Sequence, residues 1–409
     1  MNDKFIYKCN DCGKEYPANE IKYLCSACAE KNTPDKPPKG VLKVIYDYCN
    51  ITSDFGKLKN NEFSDLLPLS DLKFLPNLKV GNTPLYKYTA LEGKSLNFNL
   101  FLKDDSQNPT FSFKDRASYI VSAYAKENNI DTIIAASTGN AGSSLAGICA
   151  SQNQKAIITV PEAAPLAKLT QIVMYGAAII PVKGTYDDAF DLSVKATEKY
   201  GWYNRNTAFN PLTIEGKKTV SFELFEQLNR NVPDKIFVPV GDGVIISGVY
   251  KGFEDLLMLG IIEKIPVIVA VQSEKSKNIV NNIEFDDFKS IPSDTIADSI
   301  SVDIPRNFYM AKQFIKKYKG EYLTVSDEEI IKASGILSRN TGIFAEPAAA
   351  TAFAGMLAQQ KNGEISGNSN IAVLLTGSGL KDLKSVKSII SVPDAADPKS
   401  EDLSRFVTV

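Results

Sequence analysis

From residue 132 onward, short apolar runs alternate with amphipathic stretches, and no other feature restricts the fold of this chain as much. The runs predict strands at 132–136, 155–160, 178–182, 235–240, 266–271 and 370–375, with helices near 142–152, 166–175, 187–200 and 247–259. Parallel strands need a crossover, usually a helix, which covers a face of the sheet, so this alternation predicts α/β architecture. Single cores stop growing at roughly 250–300 residues. A chain of 409 residues is therefore expected to build two open, twisted, mainly parallel sheets. Ser326-Asp327-Glu328-Glu329 reads as a capping box opening another helix to about residue 338.

The front of the chain has a different character. Cys9, Cys12, Cys25 and Cys28 form a C-x2-C-x12-C-x2-C arrangement. Two residues between thiolates let one turn present both sulfurs to one ion, and two such turns complete a tetrahedron. A structural zinc is expected there, because so short a segment cannot hold itself together by burial. Four protein ligands leave no open position for catalysis. Cys49 and Cys149 read as small packing residues. Thr33-Pro34-Asp35-Lys36-Pro37-Pro38-Lys39-Gly40 marks a linker.

Charge and composition exclude several classes of function. Lys plus Arg number 46 against 48 Asp plus Glu, so no basic surface for nucleic acid or membrane is expected. The amino terminus lacks a signal peptide's apolar stretch, and no run is long enough to span a bilayer. A reducing, cytoplasmic setting is the expectation. The chain contains no histidine. Ser-His-Asp and Cys-His hydrolases, imidazole metal sites and histidine proton shuttles are excluded with it.

Four loops carry candidate chemistry. In the first, Lys114 stands between aromatics and just before a helical pattern at 117–126. Desolvation and a positive helix terminus both favour its neutral amine, the form that attacks a carbonyl. In the second, Ser137-Thr138-Gly139-Asn140 joins a strand to a helix, where exposed amides and hydroxyls suit a carboxylate or phosphate. The third, Gly241-Asp242-Gly243 through Ser247-Gly248, lies between strand and helix in the same way. It matches neither the dinucleotide fingerprint nor the P-loop, so a small phosphate-bearing cofactor fits it better. In the fourth, Thr376 offers a hydroxyl to a heteroaromatic nitrogen.

Together these stretches resemble the pyridoxal-phosphate enzymes of fold type II, and within them the threonine synthases. The likeness rests on Gly81-Asn82-Thr83-Pro84-Leu85, Ser112-Phe113-Lys114-Asp115-Arg116 and the Ser137–Asn140 loop. Glu215-Gly216-Lys217-Lys218-Thr219, the Gly241–Gly248 loop, Glu346-Pro347-Ala348-Ala349-Ala350 and Thr376-Gly377-Ser378-Gly379-Leu380-Lys381 complete it. The resemblance implies that Lys114 carries pyridoxal phosphate, with Phe113 beside it. It further implies that Gly241, Asp242, Gly243 and Ser247 surround the phosphate, that Asn140 meets the ring hydroxyl and that Thr376 faces the ring nitrogen. Ser137, Thr138 and Asn140 would hold the substrate. Lys114, once free, would move the Cα proton, so the chemistry needs no imidazole.

It also implies a domain order: a ribbon at 1–33, the start of a large domain at 34–108, a small substrate domain at 109–215, the rest of the large domain at 216–395 and a tail at 396–409. The expected partner is a small amino-acid phosphoester, and a homodimer is admitted.

The chain departs from the family at one telling place. Threonine synthases carry Asn-Pro-x-Arg-x-Glu-Gly-x-Lys-Thr, whose Arg grips the substrate phosphate, and here Thr213 stands in that position. Ala208 replaces a phosphate-binding Ser, and Ser378 stands where His is common. Arg205 and Lys217 are the candidates to supply the missing charge. A cysteate-synthase-like replacement on phosphoserine, a threonine or serine dehydratase-like lyase and a non-catalytic zinc-ribbon binding protein are the alternative functions.

Overall fold

The computed structural model describes residues 4–399 and 403–404. The expected tail at 396–409 therefore lies largely outside the described residues. The chain opens with β1 (Phe5–Cys9), β2 (Glu15–Pro17), α1 (Ser26–Ala29) and β3 (Leu42–Tyr46). These three strands form an antiparallel sheet in the order β2-β1-β3. Next come α2 (Phe55–Asn60), a hairpin of β4 (Leu85–Leu91) and β5 (Lys94–Asp104), and α3 (Lys114–Glu127).

The predicted alternation follows. It runs β6 (Thr132–Ala136), α4 (Asn140–Ser151), β7 (Lys155–Pro161), α5 (Leu166–Met174), β8 (Ala178–Val182), α6 (Tyr186–Tyr200) and β9 (Tyr203–Asn204). These strands make an all-parallel sheet ordered β8-β7-β6-β9. The chain then continues through α7 (Leu212–Lys217), α8 (Thr219–Gln227), β10 (Lys235–Pro239), α9 (Val244–Met258) and β11 (Val267–Ser273). It ends with α10 (Phe308–Lys317), β12 (Glu321–Val325), α11 (Asp327–Thr341), α12 (Pro347–Lys361) and β13 (Asn370–Leu375). The second sheet is ordered β12-β11-β10-β13-β5-β4, parallel except for the β4–β5 hairpin. The molecule thus has two α/β domains, one sheet wholly parallel and one mixed.

Side-chain alternation explains why the six-stranded sheet needs helices on both faces. Ile236, Val238, Ile268 and Ala270 join one core with Ile246, Val249 and Phe253 of α9. Phe237, Val269 and Val271 point the other way, into a core with Ile336 of α11 and Phe353 of α12. Both sets are buried, as strands covered on two faces require. The capping box at Ser326 and Glu329 forms, and its helix runs to Thr341. α9 starts three residues earlier than its pattern suggests, because Gly243 turns the chain with φ +85° directly before Val244.

The amino-terminal sheet touches both domains. Tyr23 accepts a hydrogen bond from Asn204 N (2.9 Å) on the outer edge of β9, and its ring stacks on Phe209 with centroids 4.7 Å apart. Tyr46 of β3 donates to Glu215 Oε2 (2.7 Å), and Tyr48 donates to Asp255 Oδ1 (2.6 Å) of α9.

Candidate active site

Ligand sites in open α/β sheets lie beyond the carboxyl ends of the strands. One cavity of about 560 Å³ opens there, between the two sheets. Its walls come from the loop after β6 (Ser137 to Asn140), the segment after β9 (Arg205), the loop after β10 (Gly241 to Gly243) and the first residue of α3 (Lys114). The segment 298–304 and Arg306 line it as well. This size is in the ordinary range for small-molecule and cofactor sites.

Local geometry explains two of these loops. A Cβ at Gly142 would stand 2.5 Å from Ser137 O, so the tight entry into α4 needs glycine there. A Cβ at Gly243 would meet Ala311 Cβ at 3.0 Å, in a left-handed conformation that other residues avoid. These turns leave the first amides of both helices without partners from the preceding turn.

The charged groups set the character of the cavity. Burial lowers the Lys114 pKa from 10.5 to about 8; Arg205 lowers it further, while Glu346 and Asp242 oppose. A large share of this amine is therefore neutral near pH 8. Lys217 is fully buried, and its Nζ has no hydrogen-bond partner among the described residues. Burial, then Arg205 and Lys114, hold its pKa well below that of an ordinary lysine. Arg205 is also fully buried, and burial lowers its pKa to about 10. Its guanidinium donates to Ser118 Oγ (3.1 Å), Thr207 Oγ1 (3.0 Å) and Lys114 O (3.5 Å). Three basic side chains thus converge on one space, with Asp242 as the carboxylate of the glycine loop. Burying charge without partners is expensive, so the cavity is built to receive anions.

The remaining candidates sit nearby in different settings. Asn140 lines the cavity, and its Nδ2 donates to Glu346 Oε1 (2.9 Å) and Oε2 (3.0 Å). Ser137 and Thr138 line it too. Ser247 stands one turn into α9, donating to Gly243 O (2.8 Å) and accepting from Asn307 Nδ2 (2.7 Å). Phe113 is wholly buried, with its ring 5.5 Å from the Arg116 guanidinium. The carbonyl of Thr376 accepts from Phe113 N (2.9 Å), which ties the loop after β13 to the lysine loop. Neither Phe113, Ser247 nor Thr376 lines the cavity directly. Thr213 turns its hydroxyl onto Asn210 O (2.8 Å).

Sequence reasoning missed Glu346 as Asn140's partner, along with Tyr186, Arg306 and the 298–304 segment. A Glu-Pro step at a helix start was the one available signal for Glu346. The 298–304 segment carries no periodic signal at all.

The pattern of the pyridoxal-phosphate-dependent enzyme family matches residues 77–377. The chain belongs to that family. A threonine synthase from Methanocaldococcus jannaschii is 36% identical over 408 residues, covering 97% of this chain and 95% of that protein. A threonine synthase from Methanosarcina acetivorans is 34% identical, covering 95% of each. Among solved structures, the processed form of threonine deaminase isoform 2 from Solanum lycopersicum shares the fold, with a TM-score of 0.67 at 22% identity. That match covers 84% of this chain and 95% of the deaminase. The family's fold type II members are enzymes of β-elimination and replacement on amino acids, and this chain has their catalytic fold.

The residues present suit the family's cofactor. A buried amine with a lowered pKa can bond to an aldehyde, and glycine-lined amides with buried cations suit a phosphate. The cysteines form a second cluster. Their sulfurs all lie within 4.8 Å of one another, with Cys9–Cys28 at 3.8 Å and Cys12–Cys25 at 3.7 Å. Four thiolates about 2.3 Å from one tetrahedral zinc stand at about this spacing, so the set fits a metal ion.

No helix among the described residues is long and apolar enough to cross a membrane.

Proposed function

We propose that this enzyme is a threonine synthase, converting O-phosphohomoserine and water into threonine and phosphate, in the cytoplasm and with small molecules as its partners. One observation supports the reading: Arg205 and Lys217 are buried at the cavity wall, and neither is neutralised by an ion pair among the described residues. A phosphoester substrate brings a second phosphate besides the cofactor's, and these two side chains supply charge for it. They take the place of the arginine that Thr213 replaces. The cofactor's phosphate and the substrate's carboxylate already have the glycine loop and the start of α4, which leaves these two side chains for a further anion.

When bound, pyridoxal phosphate supplies an electron sink for carbanions next to the amino group. The chain's residues do the rest. Lys114 holds the cofactor in the resting state and, as a neutral amine, takes the Cα proton. Ser137, Thr138 and the amides at the start of α4 hold the substrate carboxylate, and Asn140 meets the cofactor ring. Gly241, Asp242, Gly243 and the start of α9 hold the cofactor phosphate, with Ser247 bracing their loop and the Phe113–Thr376 bond bracing the lysine loop from behind. Arg205 and Lys217 hold the substrate phosphate as it leaves. Residues 109–215 form the unit that closes over the substrate, and the four cysteines hold a structural zinc.

A substrate panel tests this. Phosphate release from O-phosphohomoserine is expected to exceed turnover of phosphoserine with sulfite, and of threonine alone, by orders of magnitude. Preference for either of the other two would replace the reading with a cysteate-synthase-like or dehydratase-like enzyme.

A further inference from the structure

Glu346 is almost fully buried and stands at the N-cap of α12, yet its side chain caps nothing there. Its backbone N donates to Gly377 O (3.0 Å), and a Cβ at Gly377 would come within 2.6 Å of its Oε1. The carboxylate is thus pressed against a glycine and aimed across to Asn140, which belongs to α4 on the other sheet. Glu346 belongs to the six-stranded-sheet domain, so this contact crosses between the domains beside Lys114.

An amide has two faces, one of donors and one of acceptors, and a carboxylate can only accept. We propose that Glu346 is a positioning residue that fixes which face of the Asn140 amide the cavity meets. With Nδ2 held by the carboxylate, its second hydrogen meets only the long contact to Ser299 Oγ (3.4 Å) and can turn to an anionic oxygen on the cofactor ring. Without it, Asn140 could present Oδ1 instead, which would repel that oxygen. Glu346 also places a negative charge near Lys114 and raises the affinity of that amine for its proton. Other charges face Glu346 too: Lys381 from the loop after β13, and Asp382 beside it. Burial raises the carboxyl's own pKa, while Asn140 and the two lysines hold it down. Nothing in this inference depends on which amino acid is the substrate, but it rests on the cofactor reading.

The test compares Glu346→Gln, Glu346→Asp, Asn140→Ala and the double variant Glu346→Gln/Asn140→Ala as holoenzymes, each checked for folding by thermal melt. The readouts are pyridoxal phosphate affinity by equilibrium dialysis and the pH midpoint of the visible absorbance. Glu346→Gln keeps the shape but admits either amide face, so it is expected to weaken cofactor affinity about tenfold and move the midpoint to lower pH. Glu346→Asp, still acceptor-only, should recover most of both. Because Glu346 acts through Asn140, the double variant should bind the cofactor no more weakly than Asn140→Ala alone. Wild-type affinity and midpoint in Glu346→Gln, or additive losses in the double variant, would overturn the inference and leave the enzyme reading intact. A wild-type protein that takes up no pyridoxal phosphate would overturn both.

Discussion

Lys217 and Lys218 are neighbours in sequence, both wholly buried, and they live in opposite electrostatic worlds. Lys218 Nζ lies 2.5 Å from Glu215 Oε2 and 2.7 Å from Asp255 Oδ2. Lys251 pairs with Asp255 as well, and Tyr46 and Tyr48 donate to the same two carboxylates. Two cations face two anions there, so the charges balance even though Glu215 Oε1 finds no hydrogen-bond partner among the described residues. Lys217 points the other way, into the cavity, where Lys114 and Arg205 are its cationic neighbours. The balanced network holds α7 to α9 and the amino-terminal sheet. The open one is costly until an anion arrives, and such a cost is tolerated where it serves binding. Burial alone therefore does not separate structure from function; the state of the partner does.

The contrast can be broken most forcefully at Lys114. Lys114→Ala should lower turnover by about 10²–10⁴-fold or more, with thermal stability unchanged or raised, in steady-state assays and melts. A variant that keeps wild-type rates would remove Lys114 from the chemistry. At Lys218 the consequence should be structural. Lys218→Met leaves Glu215 and Asp255 short of a partner and should cost about 3–5 kcal/mol in denaturant unfolding. Lys217→Met should reverse that pattern, with stability equal or higher and inorganic phosphate inhibition weakened by about 10–100-fold. If Lys217→Met unfolds like Lys218→Met, the distinction between the two lysines collapses.

The smallest effect concerns pH. In cofactor-free protein the folded Lys114 pKa of about 8 lies below the ordinary 10.5. The unfolded chain therefore binds more protons between those values, and Lys114's contribution to stability rises across that window and is lost as pH falls to about 8. Unfolding midpoints of wild type and Lys114→Met, followed from pH 7.5 to 10.5, should converge as pH rises.

Much of the fold was legible because local signals agreed with the global answer. Strands at Thr132–Ala136, Ala178–Val182 and Asn370–Leu375 are short apolar runs bounded by turn residues, and their ends fall where expected. α9 read three residues short because Gly241, Gly243 and Gly248 make 241–248 look like one glycine-rich loop, although the helix already starts at Val244. α12 is rich in alanine and buried nearly all round, so it has no amphipathic stripe to detect. The β4–β5 hairpin was missed because β4 is an edge strand whose burial does not alternate cleanly.

The loops of the site were visible as glycine-rich strand-to-helix joints. Their charge balance was not. Lys217 and Lys218 are the same letter, and only packing decides which one finds carboxylates. The bond from Asn140 to Glu346 spans 206 positions, and no local pattern encodes it.

The amino-terminal sheet has a mechanical consequence. Tyr23 clasps the edge of β9 while Tyr46 and Tyr48, at and just after the end of β3, are moored to Glu215 and to α9, so this sheet straps the two domains together. Parting the two halves on that side would break the hydrogen bonds of all three tyrosines and unstack Tyr23 from Phe209. The cavity residues Asp187, Asp298 and Arg306 are tied by Arg306–Asp187 and Lys168–Asp298, pairs with at least one exposed partner, so water competes for those bonds as it cannot for the buried bond at Tyr46.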